Sequence, residues 1–185
     1  MKKLTIVLAA VAIATYAQAA AFSWKTSATG KVYEPGTTTL LASSTAYLFD
    51  ATTVTQTSLV EAFAGGSLDL ATKAKLSSAS ISNGAIATTG FSDSTAAGGS
   101  LTAYFASVVT LDGDDYLFIS AASTVAAYES STSAMQFNAK AASQAAAMQA
   151  SGGYAGAGWY AVPEPTSGLL MLLGMAGLAL RRHRA

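Results

Sequence analysis

The stretch Leu101–Ser120, which reads LTAYFASVVTLDGDDYLFIS, decides the fold of this chain. Both of its halves are rich in β-branched and aromatic residues, which favour strands. Between the halves lies Asp112-Gly113, a residue pair typical of a two-residue hairpin turn. The stretch therefore predicts two antiparallel strands, and the unbroken apolar run from Tyr116 to Ile119 predicts that the second strand is central and well covered.

Weaker signals extend this β pattern in both directions along the chain. Further short strands are predicted at Val32-Tyr33 and Thr38 to Leu41 around the turn Glu34-Pro35-Gly36, at Thr45 to Phe49, at Leu76 to Ile86 around the hairpin signal Asn83-Gly84, and at Met135 to Ala139 with Phe137 inward. The run Trp159 to Val162 is consistent with a closing strand, which we favour, or with an aromatic anchor near a membrane.

Two segments carry helix signals. Ser58-Leu59-Val60-Glu61 matches a capping box, so a short helix is predicted from there to about Ala64, ending at Gly65-Gly66. The segment Lys140 to Ala150 is rich in good helix formers and predicts a second helix. We therefore expect a mainly β, single-domain, antiparallel sandwich-like body with one or two short helices, flanked by an N-terminal signal helix and a C-terminal hydrophobic helix.

The N-terminus has the layout of a secretory signal. Lys2 and Lys3 precede the apolar run Leu4 to Ala14, and small residues at Ala17 and Ala19 occupy the two positions that signal peptidase reads. We expect cleavage after Ala19, so that the mature chain begins at Ala20; cleavage within Ala20-Ala21 is the alternative. The domain organisation follows as a signal peptide at 1–19, an exported β domain at 20–161 and a separate tail at 162–185.

The tail combines three features in a fixed order. Pro163-Glu164-Pro165 comes first, an apolar run from Gly168 to Leu180 follows, and Arg181, Arg182 and Arg184 lie at the end. The prolines hold their segment extended. The apolar run would reach only about 20 Å as a helix, short of the roughly 30 Å hydrocarbon core. The arginines are expected on the cytoplasmic side.

This tail resembles the PEP-CTERM sorting signal of Gram-negative bacteria. The resemblance implies that Pro163, Glu164 and Pro165 are recognised by an exosortase, an intramembrane cysteine protease that processes the tail. It also implies occurrence in bacteria that make extracellular polysaccharide. Signal peptidase, the exosortase and, transiently, the inner membrane are the expected partners, with the outer envelope surface or extracellular matrix as the destination. An ordinary tail anchor with a proline linker is the alternative.

The composition of the body argues against most enzymatic chemistry. The chain has no cysteine, and its only histidine is His183 in the tail, so a Ser-His-Asp triad, a Cys-His pair and a usual zinc site are excluded from the body. Between 20 and 161 there are five lysines, nine acidic residues and no arginine, a net charge of −4 that disfavours nucleic-acid binding. We expect no enzymatic activity and no cofactor.

Two alternatives stay open from the residues alone. Asp112, Asp114 and Asp115 could bind Ca²⁺ weakly or could simply form a solvated hairpin turn, the reading we favour. The tryptophans and tyrosines could stack on sugars, although core packing explains them better. The main functional hypothesis is thus a non-enzymatic exported envelope or matrix protein. A carbohydrate-binding module or weak hydrolase acting on exopolysaccharide is the alternative, and a self-assembling β-protein is a minor third.

The signal peptide generates a direct prediction. N-terminal sequencing of the envelope-localised protein should return a chain that begins at Ala20, because Ala17 and Ala19 fit the small binding pockets of the peptidase. Recovery of Met1 at the N-terminus of that protein would contradict the assignment.

Overall fold

The structure is a computed structural model that describes residues 20–26, 30–93, 100–126, 133–137, 147–149 and 153–162. Within these residues there are ten strands and one helix: β1 Ala20–Thr26, β2 Ser43–Asp50, α1 Gln56–Ala64, β3 Ser77–Ser82, β4 Ala85–Ile86, β5 Thr89–Asp93, β6 Ser100–Leu111, β7 Asp114–Ile119, β8 Ser123–Ala126, β9 Ser133–Phe137 and β10 Gly158–Ala161. The expected mainly β body with a short helix is confirmed.

The strands form two sheets. The seven-stranded sheet has the order β10-β7-β6-β2-β3-β4, and β8 also pairs with β6. All of its strand pairs are antiparallel. The three-stranded sheet has the order β5-β1-β9, in which β1 pairs antiparallel with β5 but parallel with β9. The expectation of a wholly antiparallel body is wrong for this last pair, because no hairpin joins β1 to β9 and a distant segment can pair in either direction.

The two predicted tight hairpins are confirmed. Asp112 and Gly113, with φ of 54° and 94°, join β6 to β7, and Asn83 and Gly84, with φ of 49° and 70°, join β3 to β4. Positive φ at both central residues matches the right-handed twist of the paired strands. Gly84 is also required for space, because a Cβ there would lie 2.4 Å from the carbonyl oxygen of Val32.

Alternation along β6 divides the interior into two cores. The inter-sheet core lies between the two sheets and contains Phe22, Trp24, Phe105, Phe118, Phe137 and Trp159, with smaller side chains around them. The helix-side core lies between the large sheet and α1 and contains Leu59, Phe63, Tyr104, Leu117, Ile119 and Tyr160, again with neighbours. Strand β7 pairs with a strand on each side and its residues Leu117, Phe118 and Ile119 are buried, so the prediction of a covered strand is confirmed.

Helix α1 begins earlier than the capping box predicted. Thr55 is the N-cap, and its side-chain oxygen accepts a hydrogen bond from the backbone N–H of Ser58 at 3.2 Å. Ser58 lies inside the first turn, where its hydroxyl donates to the carbonyl oxygen of Thr55 at 2.7 Å. The tight turn after β2, in which Val54 N–H donates to the carbonyl of Asp50, leaves Thr55 extended and able to cap. The predicted helix end is confirmed, because Gly65 is the C-cap.

The remaining strand predictions hold with adjusted bounds. Tyr33 and Leu40 form an isolated antiparallel bridge around the Glu34-Pro35-Gly36 turn. The strand predicted from Met135 is β9, and Phe137 is buried as expected. The predicted second helix is wrong at residues 147–149, which are non-helical and contain a bridge from Met148 to Trp159; its other residues lie outside those described. Strands β1, β5 and β8 were not predicted.

No helix in the described part of the chain is long and apolar enough to cross a membrane. The expected signal helix at 1–19 and the hydrophobic helix at 168–180 lie outside that part.

The inter-sheet core gives a prediction for stability. Phe118 is 2% exposed and its ring lies 5.4 Å from that of Phe105 and 5.2 Å from that of Trp159. Phe118→Ala should lower the free energy of unfolding by about 3–5 kcal/mol in urea titrations, because it leaves a cavity among aromatic rings. Thr45→Ala, at an exposed position of β2, is the control and should cost less than about 0.5 kcal/mol. An equally small loss for Phe118→Ala would place this ring at the surface.

Candidate functional site

Strand β10 is the last strand before the tail, so the candidate site is the part of the domain that surrounds this strand. It lies at one edge of the large sheet and pairs with β7 in a register that sets Trp159 opposite Phe118 and Ala161 opposite Tyr116. Val162 follows and packs against the helix-side core. The next residue in the sequence is Pro163, so the folded body and the Pro163-Glu164-Pro165 segment meet without an intervening linker.

Trp159 fixes β10 in the inter-sheet core. The side chain is fully buried, and its indole N–H donates to the carbonyl oxygen of Tyr33 at 2.9 Å. Its backbone N–H donates to the carbonyl of Ala147, and its carbonyl accepts from the backbone N–H of Gln149. Strand β10 is therefore hydrogen-bonded along both of its edges. Of the two alternatives for this segment, the closing strand is confirmed, and the burial of Trp159 is incompatible with an aromatic membrane anchor.

Tyr160 fixes the same strand in the opposite core. Its hydroxyl donates to the carbonyl of Gly156 at 2.6 Å and accepts from the backbone N–H groups of Ala155 and Gly156 at 3.0 and 3.1 Å. The approach of β10 requires a glycine at 158, where φ is +146° and a Cβ would lie 2.6 Å from the carbonyl of Ala147. Adjacent aromatic residues thus hold β10 from its two faces.

Three tyrosines meet at the helix-side core beside β10: Tyr104 and Tyr160 are buried, and Tyr154 is half-buried. Burial raises the pKa of the Tyr104 phenol above its ordinary value, and repulsion from Tyr154 adds to the shift. The Tyr104 hydroxyl donates to the carbonyl of Val54 at 2.7 Å, so its proton is held in the core. Burial and the neighbouring Tyr160 also raise the pKa of Tyr154, while a hydrogen bond with Gln56 opposes the rise. These groups stabilise the fold as neutral phenols.

The three aspartates predicted as a calcium candidate lie in the β6–β7 turn. Asp112, Asp114 and Asp115 are exposed, and Asp115 accepts a hydrogen bond from the hydroxyl of Thr110 at 2.5 Å. Among the residues that the structure describes, no group of three or more His, Cys, Asp or Glu side chains is arranged to hold a metal ion. The turn connects β6 to β7 as a solvent-exposed hairpin.

Four of the aromatic residues considered as sugar platforms are unavailable to a ligand. Trp24, Tyr104, Trp159 and Tyr160 are buried, which confirms core packing for these side chains. Tyr47 is half-buried and lines an open cleft of about 380 Å³ together with Thr45, Leu68, Asp69, Leu70, Ala71 and Val108. The ammonium group of Lys75 lies 5.7 Å above the Tyr47 ring. Asp69 is engaged in its own turn, where a carboxylate oxygen accepts from the backbone N–H of Ala71.

The residues predicted to be processed fall at or beyond the ends of the described chain. Ala17 and Ala19 lie outside it, as do Pro163, Glu164, Pro165, Arg181, Arg182 and Arg184. Ala20, the expected mature N-terminus, is the first residue of β1. Sequence reasoning did not identify the hydrogen-bonded support of β10, because the contacts from Tyr33, Ala147 and Gln149 join distant segments.

Comparison with known proteins identifies the tail. Residues 161–184 match the PEP-CTERM protein-sorting motif. No curated protein and no solved structure matches the chain. The motif begins at the last residue of β10 and covers the Pro163-Glu164-Pro165 segment, the apolar run and the arginines. A PEP-CTERM motif implies a protein that is exported to the cell surface and is sorted and processed by an exosortase.

The tyrosines beside β10 predict a dependence of stability on alkaline pH. In the unfolded chain Tyr104 ionises near pH 10, whereas its raised pKa keeps the phenol neutral in the folded state. The contribution is therefore complete below about pH 10 and is lost as the pH rises through the folded-state value. The free energy of unfolding should fall more steeply above about pH 10 in the wild type than in Tyr104→Phe. Identical slopes would show that Tyr104 ionises freely in the fold.

Proposed function

We propose that this protein is a non-enzymatic component of the cell envelope or extracellular matrix. The N-terminal signal directs export of its β domain, and the tail is the part of the chain that an exosortase recognises and processes. The observation that carries the proposal is the sorting motif, which begins on a strand anchored in both cores. The protein is held in the inner membrane only transiently, and its final location is the outer surface or the extracellular matrix.

The chemistry of the body supports a structural role. It contains no histidine, cysteine or arginine, so most acid–base and nucleophilic schemes lack the residues they need. The described acidic side chains in the β6–β7 turn are exposed and form no metal-binding group. The large buried side chains are aromatic and aliphatic, and they serve packing. A stable domain with a polar hydroxyl-rich surface fits a matrix constituent better than a catalyst.

The sorting half of the proposal predicts a clear phenotype. Replacement of Pro163-Glu164-Pro165 by three alanines should let helix run through a segment in which the prolines disfavour it, and so should abolish recognition by the exosortase. The variant should stay unprocessed in the inner membrane, measured by fractionation and C-terminal peptide mapping. Replacing the arginines at 181, 182 and 184 is the matched control, and it should instead weaken retention and orientation. If the triple alanine variant localises like the wild type and peptides from 168–180 persist, the tail is a plain anchor.

The cleft beside Tyr47 keeps carbohydrate binding as the second candidate. A half-buried tyrosine in an open polar cleft is a surface on which a sugar ring can stack. Lys75 covers one part of that ring, so a ligand would have to displace it or contact both groups. The net charge of the body, −4, disfavours strongly acidic polysaccharides.

Titration of the processed protein with host exopolysaccharide separates the two functions. The structural proposal predicts no saturable change in tyrosine or tryptophan fluorescence. Saturable binding that is lost in Tyr47→Ala but kept in Tyr116→Ala, a half-buried tyrosine outside the cleft, would establish the carbohydrate-binding function. A hydrolytic activity that survives purification and disappears in Asp69→Asn would contradict the non-enzymatic assignment.

A further inference from the structure

Strand β1 starts at the residue where the secretory signal is expected to end. Ala20 lies opposite Asp93 and Ala21 opposite Ser92 in the ladder with β5. Ala19, the residue expected on the other side of the cleaved bond, immediately precedes this ladder. The structure therefore leaves no linker between the cleavage box and the first paired residue of the domain.

Strand β1 is also the central strand of its sheet. It pairs with β5 on one edge and with β9 on the other, so Phe22 lies opposite both Phe91 and Ser133. A central strand uses the backbone hydrogen-bonding groups on both of its edges. Its pairing therefore joins two distant segments, which without β1 have no common partner in this sheet.

The side chains of β1 complete the inter-sheet core. Phe22 and Trp24 are 1% and 0% exposed. The Trp24 ring lies 6.0 Å from that of Phe105 and 6.1 Å from that of Phe137, and Phe22 stacks on Phe91 at 5.3 Å. The Trp24 indole N–H has no hydrogen-bond acceptor in the described structure, so ring packing alone holds this side chain.

Signal cleavage and strand pairing compete for the same backbone. Proteins that bind extended peptides commonly do so through main-chain hydrogen bonds, and a backbone group bonded in that way cannot also bond to β5. Only the five residues Thr15 to Ala19 separate the apolar run Leu4 to Ala14 from β1. Fully extended, they reach about 17 Å, which keeps β1 close to the membrane surface.

We infer that β1 enters the β5-β1-β9 sheet only after the signal peptide is removed, so that cleavage is the step that completes the inter-sheet core. This inference rests on the export half of the proposed function. None of the described strands of the large sheet pairs with β1, and the main hydrogen-bonded link between them is that from the backbone N–H of Ile86 to the hydroxyl of Thr26 at 3.0 Å. The uncleaved precursor is thus a domain whose C-terminal strand is in place while its N-terminal strand is free.

Lys25 provides a site-specific probe for this order of events. It lies within β1, and the neighbouring residues Trp24 and Thr26 are buried in the mature fold. Trypsin should cut after Lys25 slowly when β1 is paired and quickly when it is free. Lys75 lies in an exposed segment before β3 and serves as the internal reference.

The full chain is expressed in a Gram-negative host. Spheroplasts are then digested with trypsin, which is added from outside and reaches the outward-facing side of the inner membrane. One variant carries Ala17→Asp and Ala19→Asp, which block processing without adding a site for trypsin, and intact mass verifies that the chain is uncleaved. Its matched control adds a ten-residue linker of Gln, Asn and Ser, which trypsin does not cut, before Ala20 and so gives the uncleaved domain room to fold. The rate of cutting at Lys25 relative to Lys75 should be at least about tenfold higher in the blocked variant than in the processed wild type. The linker variant should return to the wild-type ratio.

Two outcomes would overturn the inference. A blocked precursor that protects Lys25 as well as the processed protein would show that β1 pairs before cleavage. A linker variant that remains as sensitive as the blocked one would show that the short tether is not the cause. Sorting by the tail is read separately from C-terminal peptides of the wild-type sample, so a failure of the proposed function is distinguishable from a failure of this order of folding.

Discussion

Two-sided burial of the β6–β7 hairpin is the constraint on which the rest of the structure depends. Successive residues of β6 point into different cores, with Tyr104 towards α1 and Phe105 towards the small sheet. The buried serine in the middle of the strand, Ser107, forms hydrogen bonds with the hydroxyl of Ser44 at 2.6 Å and with the carbonyl of Thr45 at 3.0 Å. Since the chain has no cysteine, aromatic packing on both faces takes the place that disulfides hold in many exported domains.

This arrangement connects the fold to the two signals that flank it. The small sheet covers one face of the hairpin through β1, whose first residue, Ala20, is the expected N-terminus of the mature chain. Strand β10 extends the hairpin at its edge and ends where the sorting motif begins. The sorting motif therefore adjoins a strand that belongs to the packed domain.

Sequence reasoning succeeded where the signal is local. Asp112-Gly113 and Asn83-Gly84 fixed two hairpins, because the backbone conformation of a tight turn depends on those two residues alone. The sorting motif was equally readable, since it is linear and ordered. The helix start predicted from the capping box at Ser58 was wrong, because a preceding turn places Thr55 in position to cap the helix earlier. The sequence did not predict strands β1, β5 and β8, because their pairing joins distant segments. The same reason applies to the hydrogen bonds that support β10, which come from Tyr33, Ala147 and Gln149.

The central claim is that hydrogen-bonded structure continues up to the residue at which the sorting motif begins. Hydrogen–deuterium exchange of the processed protein tests this claim most directly. Amides of β10, from Gly158 to Ala161, are hydrogen-bonded to β7 and held by Trp159 and Tyr160. We expect peptides that cover β10 to exchange as slowly as those that cover β7, and to open only when the whole domain unfolds. Exchange of β10 at the rate of the exposed residues 71–75, while β7 stays protected, would contradict the account.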